Sequence, residues 1–386
     1  MRTDHGLPDV PYHLAKRLPA GSDVVAQAPA RANLIGEHTD YNDGFVLPAA
    51  LELRTVVGGT RADRIRLVAD GHSGVAEVDP STGNGPTRGW GRYVMAVVRA
   101  LLEDGRAVRG LDGVVVSDVP VGAGLSSSAA LEVALVLALL DHPPDPLDLA
   151  RICRRAENVH VGVGSGIMDP LASGSCQAGA ALLIDCRSLE RRPVPVPDGI
   201  RLLVVDSGER RELTAGDYDR RRAECAEAAG QLGVPSLRDA TPELVREARL
   251  PEPLASRARH VVTENERTLA AAAALAADDR GQLRDLFAAS HASLAGDFRV
   301  TTPAMDALVG IASATPGVVA ARMTGAGFGG CIVALVETGA ADAALARILS
   351  VYRSRTGRTG RGWITSASAG ALELARRAGE RRTHGR

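Results

Sequence analysis

Residues 113–140, GVVVSDVPVGAGLSSSAALEVALVLALL, pass from a β-branched run through a glycine and serine loop into an apolar helical pattern. This junction constrains the chain more than any other stretch. Gly122 and Gly124 carry no Cβ, so the backbone can turn sharply and bring its N–H groups against a ligand. Ser126, Ser127 and Ser128 offer hydroxyls and a helix cap. From Ala129 the Ala- and Leu-rich run reads as helix, with no Gly or Pro to interrupt it. Strand, loop and helix in that order leave the helix N-terminus facing the loop. There the first N–H groups lack internal partners and carry roughly half a positive charge, which suits a phosphate without any lysine.

The absence of lysine matters because Lys16 is the only one in 386 residues. A Walker A loop, GxxxxGK[ST], is therefore excluded, and a phosphoryl-transfer protein built from this chain must hold its nucleotide with backbone dipoles, hydroxyls and a metal. Length and 45% hydrophobic content allow two domains with substantial cores. The run 129–140 is too short to span a bilayer and is broken by Glu132. The N-terminus has no signal-peptide-like apolar stretch, so a cytoplasmic location is expected. Five cysteines form no CxxC pair, which argues against a zinc site or a disulfide framework. A net charge of −1 with interspersed signs gives no basis for a nucleic-acid partner.

A second cluster lies at 28–51, APARANLIGEHTDYNDGFVLPAAL, where Arg31, Glu37, His38 and Asp40 are flanked by apolar residues on both sides. Those flanks should tuck the loop ends into the core and leave the polar groups lining a cleft. A dense row of donors and acceptors fits a polyhydroxylated ligand, since each buried hydroxyl left unpaired costs about 1–3 kcal/mol. Farther on, Gly162, Gly164 and Gly166 precede Asp169 in GIMDP, and two β-branched runs enclose the turn TGAGFGG at 324–330.

Three of these segments carry a family resemblance. PVGAGLSSSAA at 120–130 resembles the phosphate loop of the GHMP small-molecule kinases, RMTGAGFGGC at 322–331 is similar to their third motif, and RANLIGEHTDYN at 31–42 looks like the signature of galactokinases. The resemblance implies an α+β, two-domain architecture, 1–192 and 193–386, with ATP, Mg²⁺ and a monosaccharide in the cleft between the halves. By the same resemblance Asp169 is the catalytic base and Arg31 stands at the reaction centre. Glu37, His38, Thr39, Asp40, Gly166 and Tyr218 bind the sugar. Gly122, Ala123, Gly124, Leu125, Ser126, Ser127 and Ser128 enclose the ATP phosphates. Ser128 and Glu157, the latter twelve residues before Asp169, hold the metal, and Gly325 and Gly327 help to enclose the phosphates.

The implied activity is transfer of phosphate from ATP to the C1 hydroxyl of α-D-galactose, with no obligate protein partner. A kinase for N-acetylgalactosamine or a uronic acid would keep the same motifs, as would a sensor that binds galactose and ATP without turnover. The chain departs from the family pattern at Ala30, Pro170, Asp206-Ser207, Arg211 and Ala326. Several of these lie on the sugar side, so they bear on which sugar is used more than on kinase chemistry.

Overall fold

The computed structural model describes residues 10–209 and 216–375, and Arg211 lies outside them. Among the described residues twelve strands form three sheets. β1 (Val24–Asn33), β3 (Pro48–Ala62), β6 (Gly110–Ser117), β4 (Ile65–Ala69) and β5 (Val75–Val78) make a five-stranded sheet in the order β1-β3-β6-β4-β5. β2 (Phe45–Val46), β7 (Ala180–Asp185) and β8 (Arg191–Pro195) make a small antiparallel one. β10 (Val318–Met323), β11 (Cys331–Glu337), β9 (Ile200–Asp206) and β12 (Arg361–Thr365) form the third, wholly antiparallel.

The first sheet is mixed, because β4 runs parallel to β6 while the other pairs are antiparallel. The helices Gly91–Glu103, Ser127–Leu139 and Pro146–Arg155 cover one of its faces, burying Val94, Val98, Leu135 and Ile152 against Val57, Leu67 and Val115. Trp90 packs into this cluster, as an aromatic at the edge of a core does. The prolines of β8 fall on an edge strand, where a missing N–H breaks no central ladder. That strand, Arg191–Pro195, runs through the expected division at 192/193.

Period-two alternation in β9 shows how the third sheet joins the rest. Leu203 and Val205 face the helices Pro303–Ser313 and Ala341–Thr356, beside Leu308, Ile348 and Tyr352. Leu202 and Val204 point the other way, into a cluster that also holds Ala30, Leu34, Ile35 and Leu47 from the first half and Phe287 from the helix Arg280–Ser293. One apolar core thus spans both halves. Residues 237–313 are largely helical, with Pro242–Glu247, Leu254–Ala276 and Pro303–Ser313 beside that helix. Among the described residues no helix is long and apolar enough to cross a membrane, and no disulfide joins any of the five cysteines.

Candidate active site

Arg31 is aimed by an irregularity in β1. Pairing with β3 shifts register there, so that Pro29 faces Arg54 but Arg31 faces Ala50. Such a bulge re-aims the side chain beside it. The Arg31 N–H donates instead to Leu125 O at 3.2 Å, which ties the strand to the glycine and serine loop. Its guanidinium is buried. It donates from Nη1 to Gly124 O at 2.8 Å and from Nε to Asp169 Oδ1 at 2.7 Å, with Nη2 2.6 Å from the same oxygen. Asp169 retains 25% side-chain exposure against 6% for Arg31, so the carboxylate, not the cation, meets the cleft.

Asp169 occupies the first turn of the helix Met168–Ser175, where an acidic side chain is favoured by the helix dipole. Pro170 follows it. A proline there costs nothing in hydrogen bonding, because the first N–H groups of a helix have no internal acceptor.

Ser126 caps the helix Ser127–Leu139 by position only. The expected side-chain cap is missing, since its hydroxyl donates to Asp169 Oδ2. Its backbone is left-handed, φ 55°, a conformation that costs a residue with a Cβ about 1–2 kcal/mol. The bond to Asp169 offsets that strain. The consequence for ligands is direct, because the N–H groups at the start of this helix are left without a serine cap. Gly122 and Gly124 also adopt positive φ, 77° and 85°. Ala123 and Leu125 point into the core, while Val121 is 73% exposed at the tip of the loop.

The segment before Asp169 supplies Gly162, Gly164 and Gly166. A Cβ on Gly166 would overlap the Asp40 carboxylate, so glycine is required for that close approach. Burial, and then the charge of Asp169, push Asp40 up to about 6. Tyr218, the second residue of the helix Asp217–Leu232, has its phenol raised well above 10 by burial and by the charges of Asp40 and Asp169. His38 hydrogen-bonds Tyr41 Oη through Nδ1 at 2.8 Å, and its ring lies 5.9 Å from that of Tyr218 and 4.6 Å from Phe298. Asp40, Gly166, Asp169, Arg31, His38 and Tyr218 therefore converge on one place.

Two other residues of the same motif turn inward. Thr39 is fully buried, its hydroxyl 2.8 Å from Gly36 O and 2.7 Å from Phe45 O, where it pins the loop that carries Asp40. Glu37 is 3% exposed, accepts from the Gly325 N–H at 3.1 Å and forms an ion pair with Arg322. Gly325 thus spends its N–H on Glu37 and not on a phosphate, and Gly327 packs against Val300. The third motif buttresses the loop that carries Glu37. Arg322 also donates to Leu34 O at 2.9 Å and lies 3.6 Å from Glu264, which is paired with Arg267 at 2.7 Å. Burial pushes Glu37 up to about 7 against the pull of Arg322. For Glu264 burial acts in the same direction but Arg267 and Arg322 outweigh it and hold it at about 2.

Glu157 lies on a π-helical turn, Ala156–Val161, that follows the helix Pro146–Arg155. Such turns recur at functional sites. Its carboxyl is raised by burial, and the hydroxyls of Ser165 and Ser128 stand close enough to pull it back down, so the expected metal pair is brought together. Among the described residues no group of three or more His, Cys, Asp or Glu is arranged to hold an ion by itself. A hydroxyl, one carboxylate, phosphates and water suit Mg²⁺, which keeps several waters of its own. Sequence reasoning passed over Glu132. It lies four residues after Ser128 on the same helix, 1% exposed, with Glu157 and Asp169 as charged neighbours. The signal was a lone acid inside an apolar run.

An anion-ready helix terminus facing a salt-bridged carboxylate defines a small-molecule kinase of the GHMP class, and the GHMP kinases N terminal domain and GHMP kinases C terminal families match residues 92–177 and 271–354. The galactokinase galactose-binding signature matches residues 16–61. The chain is 44% identical over 366 residues to a galactokinase of Roseiflexus sp., covering 90% of this chain and 92% of that one. It is 45% identical over 360 residues to one of Chloroflexus aurantiacus, with the same coverage. The crystal structure of Lactococcus lactis galactokinase complexed with galactose superposes with a TM-score of 0.83 at 32% identity, covering 90% of this chain and 94% of that chain. The chain belongs to the galactokinase family.

Proposed function

We propose that this protein transfers the γ-phosphoryl group of ATP to the C1 hydroxyl of α-D-galactose, giving galactose 1-phosphate and ADP. The observation that carries this reading is the single Asp169 carboxylate, held by Arg31 and Ser126 between the phosphate loop and the Asp40–Tyr218 pocket. Membership of the galactokinase family supports the donor and the acceptor. The halves are 1–192 and 193–386, consistent with the family matches on either side of that division. ATP is a cytoplasmic metabolite, which favours action in the cytoplasm, and ATP and the sugar suffice as partners.

In the reaction the C1 oxygen forms a bond to Pγ as the bond from Pγ to the β,γ-bridging oxygen breaks, and the hydroxyl proton passes to Asp169. Arg31 holds that carboxylate in place and stabilises negative charge next to it. The N–H groups at the start of the helix Ser127–Leu139 receive the phosphates. Ser128 and Glu157 would hold Mg²⁺, which would supply positive charge against the phosphates. Purified protein with Mg²⁺, ATP and a panel of galactose, N-acetylgalactosamine, glucose and galacturonic acid tests the reading. Galactose should give the highest kcat/KM and a ³¹P spectrum of an anomeric phosphate. Absence of sugar-dependent ADP release would overturn it, and a higher kcat/KM for another sugar would reassign the acceptor.

Two consequences concern Asp40. Its carboxyl is ionised only above about 6, so sugar KM at pH 5 should be about 10-fold higher than at pH 8, with ATP KM nearly unchanged. Asp40→Asn should raise sugar KM and flatten that dependence. Because the folded-state value exceeds the ordinary 3.8, this acid favours the fold at low pH and costs stability as pH rises through about 6. Solvent at the half-buried carboxyl reduces the cost to about 1–2 kcal/mol. Asp40→Asn should therefore melt about 2–4 °C higher than wild type at pH 8 and no higher at pH 4, by calorimetry.

Gly166→Ala probes the same contact. The new methyl displaces the Asp40 carboxylate, so sugar KM should rise about 10-fold, a loss of about 1.4 kcal/mol, with ATP KM held within about twofold. Equal changes in both would place Gly166 away from the sugar.

A further inference from the structure

Glu132 is an acidic side chain in the interior of the apolar helix Ser127–Leu139, one turn beyond Ser128 and on the same face. It is 1% exposed, and its Oε1 has no hydrogen-bond partner among the described residues. A buried carboxylate oxygen in that condition is costly and calls for a partner. The surrounding charges show what kind. Glu157 and Asp169 are its charged neighbours, and Arg31 is committed to Asp169. Three acidic side chains therefore lie near one another, and Arg31 is hydrogen-bonded to only one of them. A cation beside Ser128 and Glu157 would give the other two a counter-charge.

We propose that Glu132 is a positioning residue of the divalent-cation site, its carboxylate helping Ser128 and Glu157 to retain the ion that accompanies the nucleotide. The inference rests on the nucleotide reading given above and deepens it. Glu132 does not touch the transferred group. It acts through the cation and its shell, as outer-shell carboxylates do elsewhere, where their removal weakens metal affinity 10- to 100-fold. That role explains why a carboxyl is kept in this buried run, since hydrophobic packing alone would be served better by leucine or alanine.

The test uses Mn²⁺ as the probe ion, with binding followed by electron paramagnetic resonance at saturating ADP, and ADP affinity measured separately by calorimetry without metal. Glu132→Gln keeps the shape and removes the charge. It should weaken Mn²⁺ binding in the ADP complex about 10-fold while leaving metal-free ADP affinity within about twofold. Glu132→Leu should weaken Mn²⁺ equally and melt at or above the wild-type temperature. Mn²⁺ affinity within twofold of wild type in Glu132→Gln would overturn the inference. So would an equal loss of ADP affinity without metal, which marks a purely structural role. If wild-type protein itself shows no metal-dependent ADP binding, the nucleotide reading falls, and this inference with it.

Discussion

Asp169→Asn should lower kcat by about 10³- to 10⁴-fold while changing the ADP dissociation constant less than about threefold. Asparagine fills the same space and its Oδ1 can still accept from Arg31 Nε, so the arrangement of the first helical turn survives. What disappears is a proton acceptor and the negative partner of a buried guanidinium. Phosphoryl transfer passes through a loose transition state in which nucleophile bonding is weak, so proton removal and positioning can contribute very differently. A fall of only about 10-fold would assign Asp169 to positioning the hydroxyl, and retention of more than a few per cent of wild-type kcat would refute its role as base. Steady-state ADP release gives kcat, and calorimetric titration gives the ADP affinity.

Arg322→Met has the second large effect, and its readout is stability. Arg322 is fully buried, bridges Glu37, Glu264 and Leu34 O, and has no exposed surface through which water could replace it. Removing one partner of a buried ion pair leaves the other charge uncompensated, a loss of about 3–5 kcal/mol. Glu264 keeps Arg267, so the burden falls on Glu37. The melting temperature should drop by about 5–10 °C at pH 8. The pH dependence follows from the sign of the shift. Glu37 already lies at about 7 against an ordinary 4.5, and loss of Arg322 moves it higher. A carboxyl raised in the folded state favours folding below its unfolded value and costs stability as pH rises through the folded value. The deficit of the variant should therefore be smaller at pH 5 than at pH 8. Adding Glu37→Gln should recover part of it at pH 8, and failure to do so would show that Arg322 acts through Leu34 O or packing instead.

The motifs themselves were legible in the sequence because each has local physics: glycines where φ must be positive, a helix after the loop, apolar flanks around the charged cluster. The convergence of Arg31 with Asp169 followed from the family resemblance, and the register shift in β1 is its structural cause. Other features were hidden because they depend on partners distant in sequence. Ser126 read as a helix cap; a left-handed backbone and an acceptor on Asp169 redirect its hydroxyl. Glu37 and Thr39 read as cleft residues alongside Asp40, yet a local string of polar residues does not reveal that Arg322 and Phe45 O draw two of them inward. Gly325 read as a phosphate donor for the same reason. Glu132 was masked by its setting, since an isolated acid in an apolar run is commonly read as the solvent edge of a helix.

The continuity of the interior across both halves governs how the enzyme can be dissected. Leu202 and Val204 on one side, and Leu34 and Leu47 on the other, seal each other from water. A polypeptide beginning at residue 193 would present an oily sheet surface to solvent and self-associate, whereas co-expressed fragments should find each other and restore activity.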